Sequence, residues 1–219
     1  MSTAVEASGF VMCIIGWLVT GASLSNDYWK ISTVSGSVII SYRQFENLWH
    51  TCAENSAGIA ECRDFESLLA LPVHVQVCRA LMIISLLLGL ACMFISLLGL
   101  KCIKIGSTTD QSKAKIAGTG GVLGLLAGLC CIIACSWYGF QVVQDFNNPL
   151  YGGVRFELGT GLYIGWAGAA LSILGGGLIC TAFKRASSGG KKGGYYGNAP
   201  QKVYTATAKS DPDSGRNYV

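Results

Sequence analysis

Charge is scarce in this chain: of 219 residues only 13% are Asp, Glu, Lys or Arg, while 51% are hydrophobic. Ordinary soluble domains carry about 25% charged residues, so a water-facing shell around a single core is excluded. Histidine is scarcer still. His50 and His74 are the only two, neither near a Cys or Asp at zinc-ligand or triad spacing, and no glycine-rich phosphate loop follows a strand. No enzyme chemistry is therefore expected, nor any cofactor or metal. His50, beside Trp49, reads as structural or interfacial. No Asn-x-Ser/Thr sequon occurs, nor a Met-Gly myristoylation start or a C-terminal prenylation box. Residues 1–7 contain Glu6 but no Lys or Arg. Without the basic lead of a signal peptide, the first apolar run reads as a membrane span.

The apolar residues that are present are concentrated. Four runs, at about 8–24, 80–100, 116–140 and 160–183, are almost free of charge. Each can cross a hydrocarbon core that needs about 20 helical residues, so a lipid bilayer is the expected solvent. Between them, segments 1–7, 101–115 and 184–219 hold eleven Lys/Arg against four acids, a net of +7. The loops at about 25–79 and 145–159 belong to the other side, which holds five basic residues against eight acids, a net of −3. Positive segments stay cytoplasmic, which predicts both termini inside and the two loops outside. The pI of about 8.5 is then a topology signal, and no nucleic-acid partner is expected.

Ten cysteines do not make a disulfide scaffold here. Cys13, Cys92, Cys130, Cys131 and Cys135 fall within spans, where a thiol is a small apolar side chain. Cys102 and Cys180, at cytoplasmic span ends, are palmitoylation candidates. Cys52 and Cys62 alone lie well inside the oxidising first loop, and their pairing is expected. Cys78 reads as reduced and buried. The same loop has strand patterning. Tyr28–Val34 and Ser37–Tyr42, joined by a Ser35-Gly36 turn, predict one hairpin. Asn47–Ala53 and Gly58–Asp64 predict a second, which would place Cys52 opposite Cys62. A bridge there contributes roughly 2–3 kcal/mol. Residues 65–77 read as a short helix or turn.

Small residues recur at four-residue spacing at Gly120, Gly124 and Gly128 and at Gly161, Gly165 and Ala169. Such stripes let helices approach closely in lipid, here first as packing within one bundle and second as a dimerisation face. In the second loop, Asn147-Asn148-Pro149 reads as a turn and Arg155–Leu158 as re-entry into the membrane. From 186 onward the tail is rich in Gly, Ser and Lys and is expected to be disordered. It closes on Tyr218-Val219, a carboxyl-terminal end suited to strand addition in a PDZ groove.

Taken together, these residues resemble the claudin family. Its outer-loop motif is matched by Trp29, Asn47-Leu48-Trp49, Cys52 and Cys62, with Arg79 at the second span. Phe146, Pro149 and Glu157-Leu158-Gly159 match its second-loop pattern, and Tyr218-Val219 its PDZ ligand. Ser67–Leu71 and Cys78–Met82 look most like the channel-forming members numbered ten and fifteen. The resemblance implies a membrane α+β fold: a left-handed four-helix bundle over 1–185 carrying a small extracellular antiparallel β-sheet, then a cytoplasmic tail over 186–219. It further implies a plasma-membrane protein of cell–cell tight junctions. Its partners would be itself and other claudins, side by side and across cells, together with PDZ scaffolds. Leu68 would seat against a neighbour's Phe146 and Leu158, while Asn147 stands where a second aromatic is common.

A pore is the expected activity, with inorganic cations as its cargo. Residues 26–78 carry six acids against three basic residues, a net of −3, and carboxylates lining a narrow wet pore favour cations. Channel-forming relatives place an acid three residues after the first cysteine; this chain has Asn55 there and Glu54 one position earlier. Asp64, Glu66 and Glu54 are the candidate pore acids, Asp64 foremost, with Arg63 beside it expected to offset its charge. The alternatives are solvated loop charges on a sealing claudin, and an auxiliary or adhesion tetraspan of the peripheral-myelin or channel-regulatory type.

Overall fold

The computed structural model describes residues 2–33, 42–65, 71–99, 110–148, 150 and 154–191. Among the described residues, four helices and five strands follow in the order α1 (Ser2–Leu24), β1 (Lys30–Ser32), β2 (Tyr42–Glu46), β3 (His50–Asn55), β4 (Ala60–Asp64), α2 (Val73–Gly99), α3 (Asp110–Asn147), β5 (Phe156–Leu158) and α4 (Thr160–Lys191).

Each helix contains a stretch long and apolar enough to cross a membrane: Ala4–Leu24, Val73–Gly99, Lys115–Asn147 and Thr160–Thr181. Their outward faces are apolar as well. Val11, Ile15 and Leu18 on α1, Ile83, Leu87 and Phe94 on α2, and Leu126, Leu129 and Ile133 on α3 are all exposed. Water would not tolerate such continuous stripes; hydrocarbon does.

Packing inside the bundle depends on small residues. α1 lies along α4, α4 along α3 and α3 along α2, and a lighter α1–α2 contact completes the ring. A Cβ at Gly128 would come within 3.0 Å of Ala169 O, and one at Gly165 within 2.5 Å of Cys135 Sγ. Both glycine stripes are thus used for packing within the monomer.

The sheet is antiparallel, ordered β4-β3-β2-β1-β5. The strands differ from those expected. β1 starts at Lys30 rather than Tyr28, whose N–H is taken by Asn26 Oδ1 at 2.8 Å. Its partner β2 is Tyr42–Glu46 and meets the expected Ser37–Tyr42 strand only at Tyr42, with 34–41 outside the described residues. Asn47–Trp49 is a turn and β3 starts at His50, because the Asn47 carboxamide oxygen accepts the N–H groups of Trp49 (2.7 Å) and His50 (2.8 Å). β4 starts at Ala60, because Gly58 adopts a left-handed φ of 78° in the turn before it. Phe156–Leu158, expected to re-enter the membrane, instead adds a fifth strand to the free edge of β1, pairing Lys30 with Leu158 and Ser32 with Phe156. The expected Ser35-Gly36 turn lies outside the described residues, and so does 66–70 of the connection to α2. Residues 73–77 already belong to α2, which follows Pro72, whose missing N–H is not needed at a helix start. α4 runs to Lys191, and the tail beyond it lies outside the described residues.

Sheet and bundle share one core. Trp29, Leu48, Leu71, Val75, Cys78, Met82, Tyr138 and Leu162 belong to one continuous buried cluster at the sheet end of the helices.

Candidate functional site at the outer sheet

The motif residues that are 50 positions apart in sequence form one structural unit. Trp29 is fully buried, donates its indole N–H to Ser23 O at 2.8 Å and meets Tyr138 edge-on at 5.2 Å. Leu48 is equally buried, and its carbonyl accepts from Arg79 Nε. The Arg79 guanidinium also lies over the rings of Trp49, at 5.0 Å, and Phe65, at 5.4 Å. A rigid planar cation that bonds a carbonyl and stacks on aromatics explains why arginine serves here better than lysine.

Below this turn lies a cluster that no spacing rule suggested. Asp27 Oδ1 accepts from Asn47 Nδ2 at 3.1 Å and lies 3.0 Å from His50 Nε2. The spacing along the chain puts no Asp at triad distance from His50; the twenty-three residues that separate it from Asp27 fold back to bring the two together. The His50 ring also lies near the sulfurs of Cys52 and Cys62. Those sulfurs are bonded to each other, as expected, and a disulfide supplies no thiolate for a metal. Cys78 is free and buried, with its thiol donating to Ala134 O at 3.3 Å.

Asn55, the residue at the channel-acid position, has a structural task. Its Oδ1 accepts from the N–H groups of Ala57 and Ile59, both at 3.0 Å, and its own N–H donates to Ile59 O. It therefore shapes the turn of the hairpin that carries the disulfide.

Strand alternation sorts the charges by face. On β4, Asp64 and Cys62 point one way, Glu61 and Arg63 the other. Arg63 is thus turned away from Asp64, and the expected offset between neighbours does not follow from their adjacency. Register places Asp64 opposite His50, Glu54 opposite Arg43, and Glu157 in the row of Ile31, Phe45, Cys52 and Cys62. On the other face Lys30 and Glu46 pair at 2.6 Å, with Lys30 also 4.5 Å above the Phe156 ring. Asp64 is exposed, whereas Glu54 is half-buried.

A mostly apolar cleft of about 280 Å³ opens between the end of α3 and β5, lined by Val142, Val143, Phe146, Phe156, Glu157, Leu158 and Tyr163. The structure thereby brings together Phe146 and Leu158. Asn147 does not join the lining: its Nδ2 donates to Val143 O at 2.9 Å and closes the last turn of α3. Cys180 is half-buried, its sulfur 3.9 Å from Gly118 O. Glu66, Leu68, Pro149, Cys102, Tyr218 and Val219 lie outside the described residues.

Four membrane helices topped by a disulfide-braced sheet, with a Trp/Asn-Leu-Trp/Arg unit pinning the two together, define a tetraspan protein with a sheet domain at one end of its bundle. Residues 3–179 match the PMP-22/EMP/MP20/Claudin family. The chain is 49% identical to Claudin-15 of Mus musculus over 180 residues, covering 82% of this chain and 78% of the relative. It is 44% identical to Claudin-15 of Rattus norvegicus over 214 residues, 96% and 93% of the two chains. Claudin-7 of Rattus norvegicus is 41% identical over 180 residues, 81% and 85% of the two. The chain belongs to the claudin family, and is a structural membrane protein rather than an enzyme.

Proposed function

We propose that this claudin polymerises in tight-junction strands and forms a paracellular pore that prefers cations. The observation that carries the reading is the placement of Asp64: exposed at the end of β4, on the face of Glu54 and opposite to that of Arg63. A carboxylate presented in this way to a confined water path lowers the energy of a passing cation more than that of an anion. Glu66, two residues further on, is taken as a second pore acid. The apolar cleft at Phe146 and Leu158 supports side-by-side assembly, receiving Leu68 of a neighbouring copy. Tyr218-Val219 is taken as the ligand of a PDZ scaffold, with both termini cytoplasmic. Acylation is assigned to Cys102; at Cys180 it requires the thiol to turn away from Gly118 O.

The test is expression of the full chain in junction-poor epithelial cells, followed by transepithelial resistance and NaCl dilution potentials. Contact-line strands with lowered resistance and Na⁺ favoured over Cl⁻ are expected. Raised resistance would make the protein a seal, and absence of strands would move it to the auxiliary class. Asp64→Lys is expected to lower the Na⁺/Cl⁻ permeability ratio severalfold. An unchanged ratio, with the variant still at contacts, would remove Asp64 from the pore.

A further inference from the structure

We propose that His50 is a specificity-determining residue of this pore, whose protonation cancels part of the acidic charge that selects cations. The inference rests on the pore reading above. Its basis is the position of one imidazole among fixed charges. Asp27, from the α1–β1 connection, faces His50 Nε2 at 3.0 Å, and the same carboxylate oxygen is held by Asn47 Nδ2 at 3.1 Å. On β4, the neighbouring strand, Asp64 stands directly opposite His50 in register. Residues so paired have Cβ atoms about 5 Å apart, well inside the screening distance of roughly 8 Å at physiological salt. Farther along the same face lie Glu54 and Arg43, paired with each other. The nearer sulfurs of Cys52 and Cys62 are joined and carry no charge. Arg79 approaches from α2 but spends its guanidinium on Leu48 O and on the Trp49 and Phe65 rings.

Imidazole is the side chain that gains charge between about pH 8 and 5. Neutral, His50 donates one hydrogen bond to Asp27 and leaves Asp64 at full strength. As imidazolium, it brings a positive charge between two carboxylates, and the pore mouth loses one net negative charge. Its side chain is partly open to water, at 25% exposure, so protons reach it without any opening of the sheet. Carboxylates in water ionise well below this range. A loss of selectivity at mild acidity that disappears with the imidazole is therefore the signature of His50.

The experiment measures NaCl dilution potentials across monolayers expressing the full chain, stepped from about pH 8 to 5.5. The wild type is expected to lose about two- to threefold of its Na⁺/Cl⁻ permeability ratio between the two ends of this range. His50→Gln, which keeps a donor for Asp27, should abolish that loss; His50→Lys should hold the ratio low at every pH. A wild-type ratio unchanged across the range overturns the proposal, as does a His50→Gln curve that overlays the wild type. Should neither variant reach the contacts, His74→Gln separates the two histidines: a loss that survives it supports the proposal, and one that it removes overturns it. A wild type without cation preference even at the alkaline end overturns the pore reading itself, a result separable from the others.

Discussion

Arg79 shows what a single side chain does in this molecule. It lies in the second turn of α2, and its guanidinium reaches up to Leu48 O and between the Trp49 and Phe65 rings. A hydrogen bond from a charged donor contributes about 1.5–3 kcal/mol, and each ring contact adds about 0.5–2. Allowing for overlap, Arg79→Ala is expected to cost about 2–4 kcal/mol, read as a lowered melting temperature of the detergent-solubilised protein. Arg79→Lys should recover only part of this, since an ammonium cannot bond the carbonyl and stack on both rings together. A melting temperature unchanged by Arg79→Ala would mean that the turn stands without this clamp.

Among the elements, the helices and the sheet are held by different physics. The helices have no hydrophobic drive toward one another in lipid and rely on close approach. Gly165 is the sharpest case: Cys135 Sγ and Ser23 Oγ occupy the space where a side chain would begin, at 2.5 and 2.8 Å. Gly165→Val must push α4 off α1 and α3. Overpacking of this kind costs about 1–3 kcal/mol, and more where backbones are in contact. Retention of the variant inside the cell, measured by surface biotinylation, is the expected result; normal surface levels would show that the bundle yields easily. The sheet, by contrast, has few buried residues of its own. Every residue of β4 is exposed, and the Cys52–Cys62 bond fastens that edge strand to β3.

For the whole molecule, the segregation of charge sets its orientation. The positive segments flank one end of the bundle in the sequence, while the sheet with Asp27, Glu54, Glu61 and Asp64 caps the other. The outer sheet should therefore face the extracellular space, with Val219 in the cytosol. An antibody tag at the C-terminus is expected to stain only permeabilised cells, and a tag in the Ala57-Gly58 turn to stain intact ones. The reverse pattern would invert the orientation and end the junctional reading.

The sequence alone determined the four spans, the Cys52–Cys62 pair and the Trp29/Asn47-Leu48-Trp49/Arg79 motif. Hydropathy, cysteine placement and motif spacing are written along the chain and need no partner to be read. It determined much less about the sheet. β5 joins β1 across more than a hundred residues of intervening chain, and three residues of Phe-Glu-Leu carry no local sign of their partner. The meeting of Asp27 with His50, the turn-forming role of Asn55, and the cleft at Phe146 and Leu158 likewise arise from contacts between separate segments. Arg63 and Asp64, adjacent in the strand expected over Gly58–Asp64, take opposite faces by alternation alone, but that Asp64 stands opposite His50 was decided only by strand register. A pleat separates neighbours and joins strangers, and that choice belongs to the folded chain.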